Sequence, residues 1–117
     1  MMGRLTTHVL DTARGMPAGG IAVSLYRLQA DSELIAEATT NADGRLDAPI
    51  LDGDAFVPGT YELVFRAGDY FRAAGIELPN PPFVDEVILR FGIADADAHY
   101  HVPLLVSPWS YSTYRGS

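Results

Sequence analysis

Apolar and polar residues alternate with a period of two along most of this chain, the spacing that sends successive side chains to opposite faces of a β-strand. Over residues 5–11, Leu5, Thr7 and Val9 fall on one face and Thr6, His8 and Leu10 on the other. Residues 14–20 are a cluster of turn formers, after which 21–28 alternates again with Ile21, Val23 and Leu25 together. A third strand is predicted over 34–40. It ends at Asn41-Ala42-Asp43-Gly44, where Asp-Gly supplies the positive φ of a tight turn, and Arg45 follows at once. Gly59 opens a strand that carries Tyr61, Leu63 and Phe65 on one face. Residues 68–75 lack alternation and predict one or two helical turns, and 79–82 must be a loop. Val87, Leu89, Phe91 and Ile93 mark the next strand, 95–97 a turn, and two last strands are predicted over 98–106 and 109–115. Seven or eight short strands with one short helix predict an all-β, two-sheet sandwich, and residues 1–117 read as one domain. Pro103 fits a central strand poorly and is expected at a bulge or an edge.

The same parity sorts the histidines. In the strand over 98–106, Tyr100, Val102, Leu104 and Val106 form the more continuously apolar face and are assigned to the core. His99, His101, Pro103 and Leu105 then point away from it. With Leu5, Thr7 and Val9 facing inward, His8 also points outward. Leu10 and Leu105 lie beside these histidines, and an apolar outward face is one that another subunit covers. An oligomer with a site at its interface is therefore expected.

Composition narrows the chemistry. Eight basic against fifteen acidic residues give a net charge of −7, which disfavours nucleic acid or an anionic membrane as partner. Cysteine is absent, which excludes disulfides, thiolate zinc sites and a cysteine nucleophile. All eight basic residues are Arg, so a Schiff-base or general-base lysine is excluded too. Three histidines remain as the groups that titrate near neutral pH. The first nine residues carry no secretory pattern, no apolar run approaches the roughly 18–20 residues that span a bilayer, and the last three are no peroxisomal signal. The expected location is the cytoplasm.

Each candidate also has an ordinary reading. An outward histidine in a strand is usually a surface residue, and an arginine after a Gly turn is usually solvated. Trp109 reads as a packing or interface aromatic. His99 and His101 form a His-x-His pair that would suit a metal, yet no cysteine supports it and the nearby Asp95 and Asp97 sit in a turn. Ser107, Ser110 and Ser112 carry no nucleophile-elbow motif, which argues against a serine hydrolase.

Three separated motifs change this balance. Residues 5–15 (LTTHVLDTARG), residues 40–46 (TNADGRL) and residues 99–117 (HYHVPLL through SPWSYSTYRGS) resemble the opening, middle and closing signatures of the 5-hydroxyisourate hydrolases, also called transthyretin-related proteins. The resemblance implies a transthyretin-like sandwich assembled as a homotetramer, a dimer of dimers with a central channel. It implies hydrolysis of 5-hydroxyisourate to 2-oxo-4-hydroxy-4-carboxy-5-ureidoimidazoline in urate degradation, with neither metal nor organic cofactor. Carried over position by position, it makes His8, Arg45 and His101 catalytic and Tyr114, Arg115, Gly116 and Ser117 substrate-binding, at the dimer–dimer interface; His99 is left structural or supporting. Either His8 or His101 would activate water, and Arg45 would hold a carbonyl whose oxygen gains charge. The rivals are a carrier of apolar hormones with the same fold, a non-catalytic β-sandwich module, and a metal-dependent cyclic amidase. The polar residues argue against the first and the C-terminal motif against the second; sensitivity to a chelator would reveal the third.

Overall fold

Residues 3–116 are described here from a computed structural model. Strand β1 (Arg4–Asp11) runs through the middle of the first sheet. On one side it pairs in parallel with β8 (His99–Val106), which pairs in turn with the short β9 (Tyr111–Thr113). Its other side is covered piecemeal by β2 (Met16–Pro17) and β5 (Leu51–Asp52). The second sheet is antiparallel in the order β4 (Ser32–Thr39), β3 (Ala22–Leu28), β6 (Gly59–Arg66), β7 (Glu86–Ile93). Helix α1 (Ala67–Ala73) follows β6, and a 3-10 turn over Gly53–Ala55 follows β5.

The inward faces are those that alternation assigns. Leu5, Val9, Leu25, Leu63, Phe65, Leu104 and Val106 are fully buried between the sheets, each contributing about 1.5–3 kcal/mol through lost contact with water. Tyr61, Phe56 and Phe71 fill the remaining space. The two-sheet sandwich with one short helix is as expected.

Local differences have local causes. Strands β2 and β5 have two residues each, too few to register as alternation. The last strand is shorter than the expected 109–115. Its start is held back by a turn in which the Ser107 hydroxyl accepts from the backbone N–H of Trp109 and Ser110 at 3.2 and 3.1 Å. After Thr113 the chain leaves the ladder and returns only for a bridge between His101 and Gly116. That gap accommodates Pro103, which is neither at a bulge nor on an edge strand. Gly116 N–H donates to His101 O at 2.7 Å, so His101 and, two residues on, Pro103 turn their backbone polar groups to the tail side. The missing N–H of Pro103 thus faces the stretch where the ladder is interrupted, and its carbonyl accepts from the Thr113 hydroxyl at 2.7 Å.

One buried charge ties the layers together. Asp11, 1% exposed, accepts from the backbone of Ala13 and Arg14, from Arg14 Nε at 2.9 Å and from the Tyr70 hydroxyl at 2.8 Å. Burial opposes its ionisation, but the Arg14 and Tyr70 hydrogen bonds outweigh burial and hold the carboxyl below its usual range. The end of β1 is thereby fixed to α1.

Candidate functional site

Register explains how distant residues meet. Parallel pairing sets Arg4 beside His99, Thr6 beside His101, His8 beside Pro103 and Leu10 beside Leu105. Paired residues present their side chains on the same face, so these four rows form the outward surface of the first sheet. On the open side of β1, Arg45 bridges to His8. The connection depends on Gly44, whose φ of +75° suits glycine and whose O accepts from Val9 N at 2.8 Å. A Cβ there would press on the Val9 carbonyl oxygen. Asn41 braces the turn, its side-chain oxygen accepting from Asp43 N and Arg45 N at 2.9 and 3.2 Å.

His8 Nε2 lies 2.9 Å from the Asp43 carbonyl oxygen. A carbonyl only accepts, so Nε2 carries the hydrogen and Nδ1 of the neutral ring is bare. His101 is held differently: its Nδ1 is 2.8 Å from the Thr6 hydroxyl, which also lies 2.7 Å from His99 Nε2. Arg45, Thr6, Arg4, His99 and His101 line a groove of about 360 Å³, within the range of about 300–1,000 Å³ typical of small-molecule sites. His8 borders this groove through its bridge to Arg45 but does not line it. A second hollow of about 750 Å³ is lined by the same histidine pair together with Tyr114, Arg115 and Gly116. His99 and His101 are common to both.

The tail packs close. A Cβ on Gly116 would sit 3.0 Å from His101 Cδ2, and Arg115 lies 4.0 Å over the Tyr100 ring while donating to His99 O at 3.3 Å. Tyr114 is 62% exposed. Ser117 lies outside the described residues.

Charge is distributed unevenly. In a chain of net −7, Arg4, Arg45, Arg115 and the three histidines gather at this one surface. Arg4, Arg45 and Arg115 take part in no salt bridge among the described residues. Burial pushes the His101 imidazole below the ordinary histidine value, and His99, Arg45 and His8 push the same way. His99 is lowered by burial and by Arg4 and Arg115. A neutral imidazole beside a guanidinium offers a base next to a hydrogen-bond donor for developing negative charge. Among the described residues no three His, Cys, Asp or Glu side chains converge as metal ligands would.

The structure brings His8, Arg45 and His101 to one surface, with Tyr114 to Gly116 beside His101. Thr6 and Arg4 are the members that sequence reasoning missed. Their outward parity was visible, but the parallel pairing that sets them against His101 and His99 was not.

Fold and site together define a transthyretin-like β-sandwich with a histidine–arginine groove on the outside of one sheet. The chain belongs to the HIUase/Transthyretin family, whose profile matches residues 5–116. A 5-hydroxyisourate hydrolase of Pseudomonas aeruginosa is 65% identical over 117 residues, covering 99% of this chain and 93% of that protein. The solved 5-hydroxyisourate hydrolase of Klebsiella pneumoniae superposes with a TM-score of 0.83 at 37% identity, covering 99% of this chain and 100% of that one. Transthyretin from Sparus aurata is similar in fold, with a TM-score of 0.86 at 28% identity, covering 97% and 96%.

Proposed function

We propose that this protein is a hydrolase that opens the ring of 5-hydroxyisourate with water, giving 2-oxo-4-hydroxy-4-carboxy-5-ureidoimidazoline in urate degradation. The observation that carries the reading is the convergence of Arg45 and His101 on one groove, bordered by His8, in a chain 65% identical to a protein of that name.

His101 is the general base. Its Nδ1 is engaged by Thr6, and Nε2 has no hydrogen-bond partner among the described residues, so the nitrogen on the open side of the ring is the one that meets water. Such a base is worth about 10²–10⁴-fold in rate. Arg45 donates to the carbonyl oxygen as it gains charge in the tetrahedral intermediate. His8, fixed by the Asp43 carbonyl, orients the ring from the Arg45 side, and Tyr114 to Gly116 close over it. Four copies of this single domain pair as a dimer of dimers, with the outward face of the first sheet at the interface, so that each groove is roofed by a neighbour. The enzyme works in the cytoplasm. No helix is long and apolar enough to cross a membrane among the described residues.

The test is direct. Urate oxidase generates 5-hydroxyisourate from urate in the cuvette, and its optical decay is followed with and without the protein. Decay far faster than the spontaneous rate is expected; an unchanged decay would reject the activity.

A further inference from the structure

We propose that Thr6 is a positioning residue that couples the tautomers of His99 and His101 and passes a proton between them during ring opening. The proposal rests on the hydrolase reading above and deepens it. It starts from one hydroxyl between two imidazoles: Thr6 Oγ1 is 2.8 Å from His101 Nδ1 and 2.7 Å from His99 Nε2.

A threonine hydroxyl has one hydrogen to donate. To satisfy both contacts it donates to one ring nitrogen and accepts N–H from the other. It could accept from both only if its own hydrogen had a third acceptor, and the described residues supply none. The two facing nitrogens are therefore complementary, one protonated and one bare. When His101 Nδ1 carries the hydrogen, its Nε2 is bare and basic, and Thr6 donates to His99 Nε2. In the opposite arrangement His101 Nε2 carries the hydrogen and is an acid.

These are the two forms a hydrolysis needs in succession. As the water oxygen bonds to the ring carbonyl carbon, His101 Nε2 takes a proton from that water. The Nδ1 proton of His101 moves to Thr6 Oγ1, and the hydroxyl hydrogen of Thr6 moves to His99 Nε2. The positive charge then rests on His99, and His101 is neutral with its proton on Nε2. When the carbon–nitrogen bond breaks, its electron pair goes to the ring nitrogen, which takes the Nε2 proton of His101. The reverse shift through Thr6 restores the start. One water is consumed, divided between the new carboxyl and the ring nitrogen, and the enzyme is unchanged.

The surroundings suit a neutral resting pair. His101 faces His99 from its own strand, His8 from β1 and Arg45 from the turn after Gly44; His99 faces Arg4 from β1 and Arg115 from the tail. Asp47 is the carboxylate on the groove wall, and it accepts from Asn41 Nδ2 at 2.9 Å. Burial, with the neighbouring arginines pushing the same way, keeps both rings below the ordinary histidine value.

The test compares wild type with Thr6→Val, which keeps the branched shape without the hydroxyl, and Thr6→Ser, which keeps the hydroxyl. Thr6→Val is expected to lose about 10- to 100-fold in kcat with KM nearly unchanged, a positioning and proton-transfer defect rather than a binding one. Thr6→Ser should retain most of the rate. In mixtures of light and heavy water, wild type and Thr6→Ser should give a curved dependence of rate on deuterium fraction, and Thr6→Val a straight line. Wild-type kcat in Thr6→Val, or an equal loss in Thr6→Ser, overturns the proposal. Nitrogen-15 spectra of histidine-labelled wild type test the coupling without turnover. One protonated and one bare nitrogen among His99 Nε2 and His101 Nδ1 support it, and two alike overturn it. Should wild type fail to speed substrate decay while the spectra show the complementary pair, the hydrolase reading falls and the tautomer coupling stands. An active enzyme with an alike pair overturns the coupling alone.

Discussion

An imidazole accepts a proton near neutral pH only while it is uncharged, and the surroundings of His101 favour that state. Burial and the neighbouring His99, Arg45 and His8 all disfavour its cation, so the folded pKa lies below 6.5. As the proposed base, His101 therefore stays active to more acid pH than a free histidine would. The acid limb of kcat/KM against pH is expected to have its midpoint below 6.5, and a midpoint above that value would exclude His101 as the base. The same depression makes a stability statement. With the folded pKa below the unfolded value of about 6.5, the unfolded chain takes up the proton first, and His101 and His99 cost stability as pH falls through that window. At this scale the sequence was informative for His8 and His101, because outward parity beside apolar neighbours is visible in one dimension. Thr6 carries the same parity, but an outward threonine in a strand is unremarkable until its partner across the sheet is known.

Turns and strand edges decide whether Arg45 reaches its place. The 41–44 turn brings Arg45 against β1 only because Gly44 adopts φ +75° and its carbonyl oxygen meets Val9 N. Gly44→Ala puts a Cβ onto the Val9 carbonyl oxygen and within 3.2 Å of Ala18 N. It is expected to cost about 1–3 kcal/mol of stability in a denaturant titration, with kcat/KM falling as Arg45 shifts. Wild-type stability and rate would show that the close approach does not position the arginine. Alternation marked β1, β3, β6, β7 and β8, because a buried face leaves a period-two trace over seven or more residues; it left no such trace in β4, which has no buried residue. It did not find β2 and β5, which exist only as pairing partners for β1. Nor does alternation reveal that the first strand lies parallel to the eighth, the one pairing that puts Thr6, His99 and His101 together.

The molecule collects its site from both ends and the middle of the chain. Outward Leu10 and Leu105 are partly buried side by side on the face that carries the histidines, and the proposed tetramer covers that face with a second dimer. Leu10→Glu should leave the monomer fold intact, shift sedimentation velocity from four chains to fewer, and lower turnover; four chains with full turnover would place the interface elsewhere. Three sequence motifs carried the family resemblance, but their convergence depends on sheet order, which no single motif encodes. That convergence is the central claim, and a double-mutant cycle on 5-hydroxyisourate decay tests it most directly, with circular dichroism to establish folding. Arg45→Met and His101→Asn are each expected to lower kcat by about 10²–10⁴-fold. Together they should be little slower than the worse single variant, since groups serving one transition state fail as a unit. Losses that multiply in full, or a single variant that turns over like wild type, would mean that arginine and histidine do not share a site.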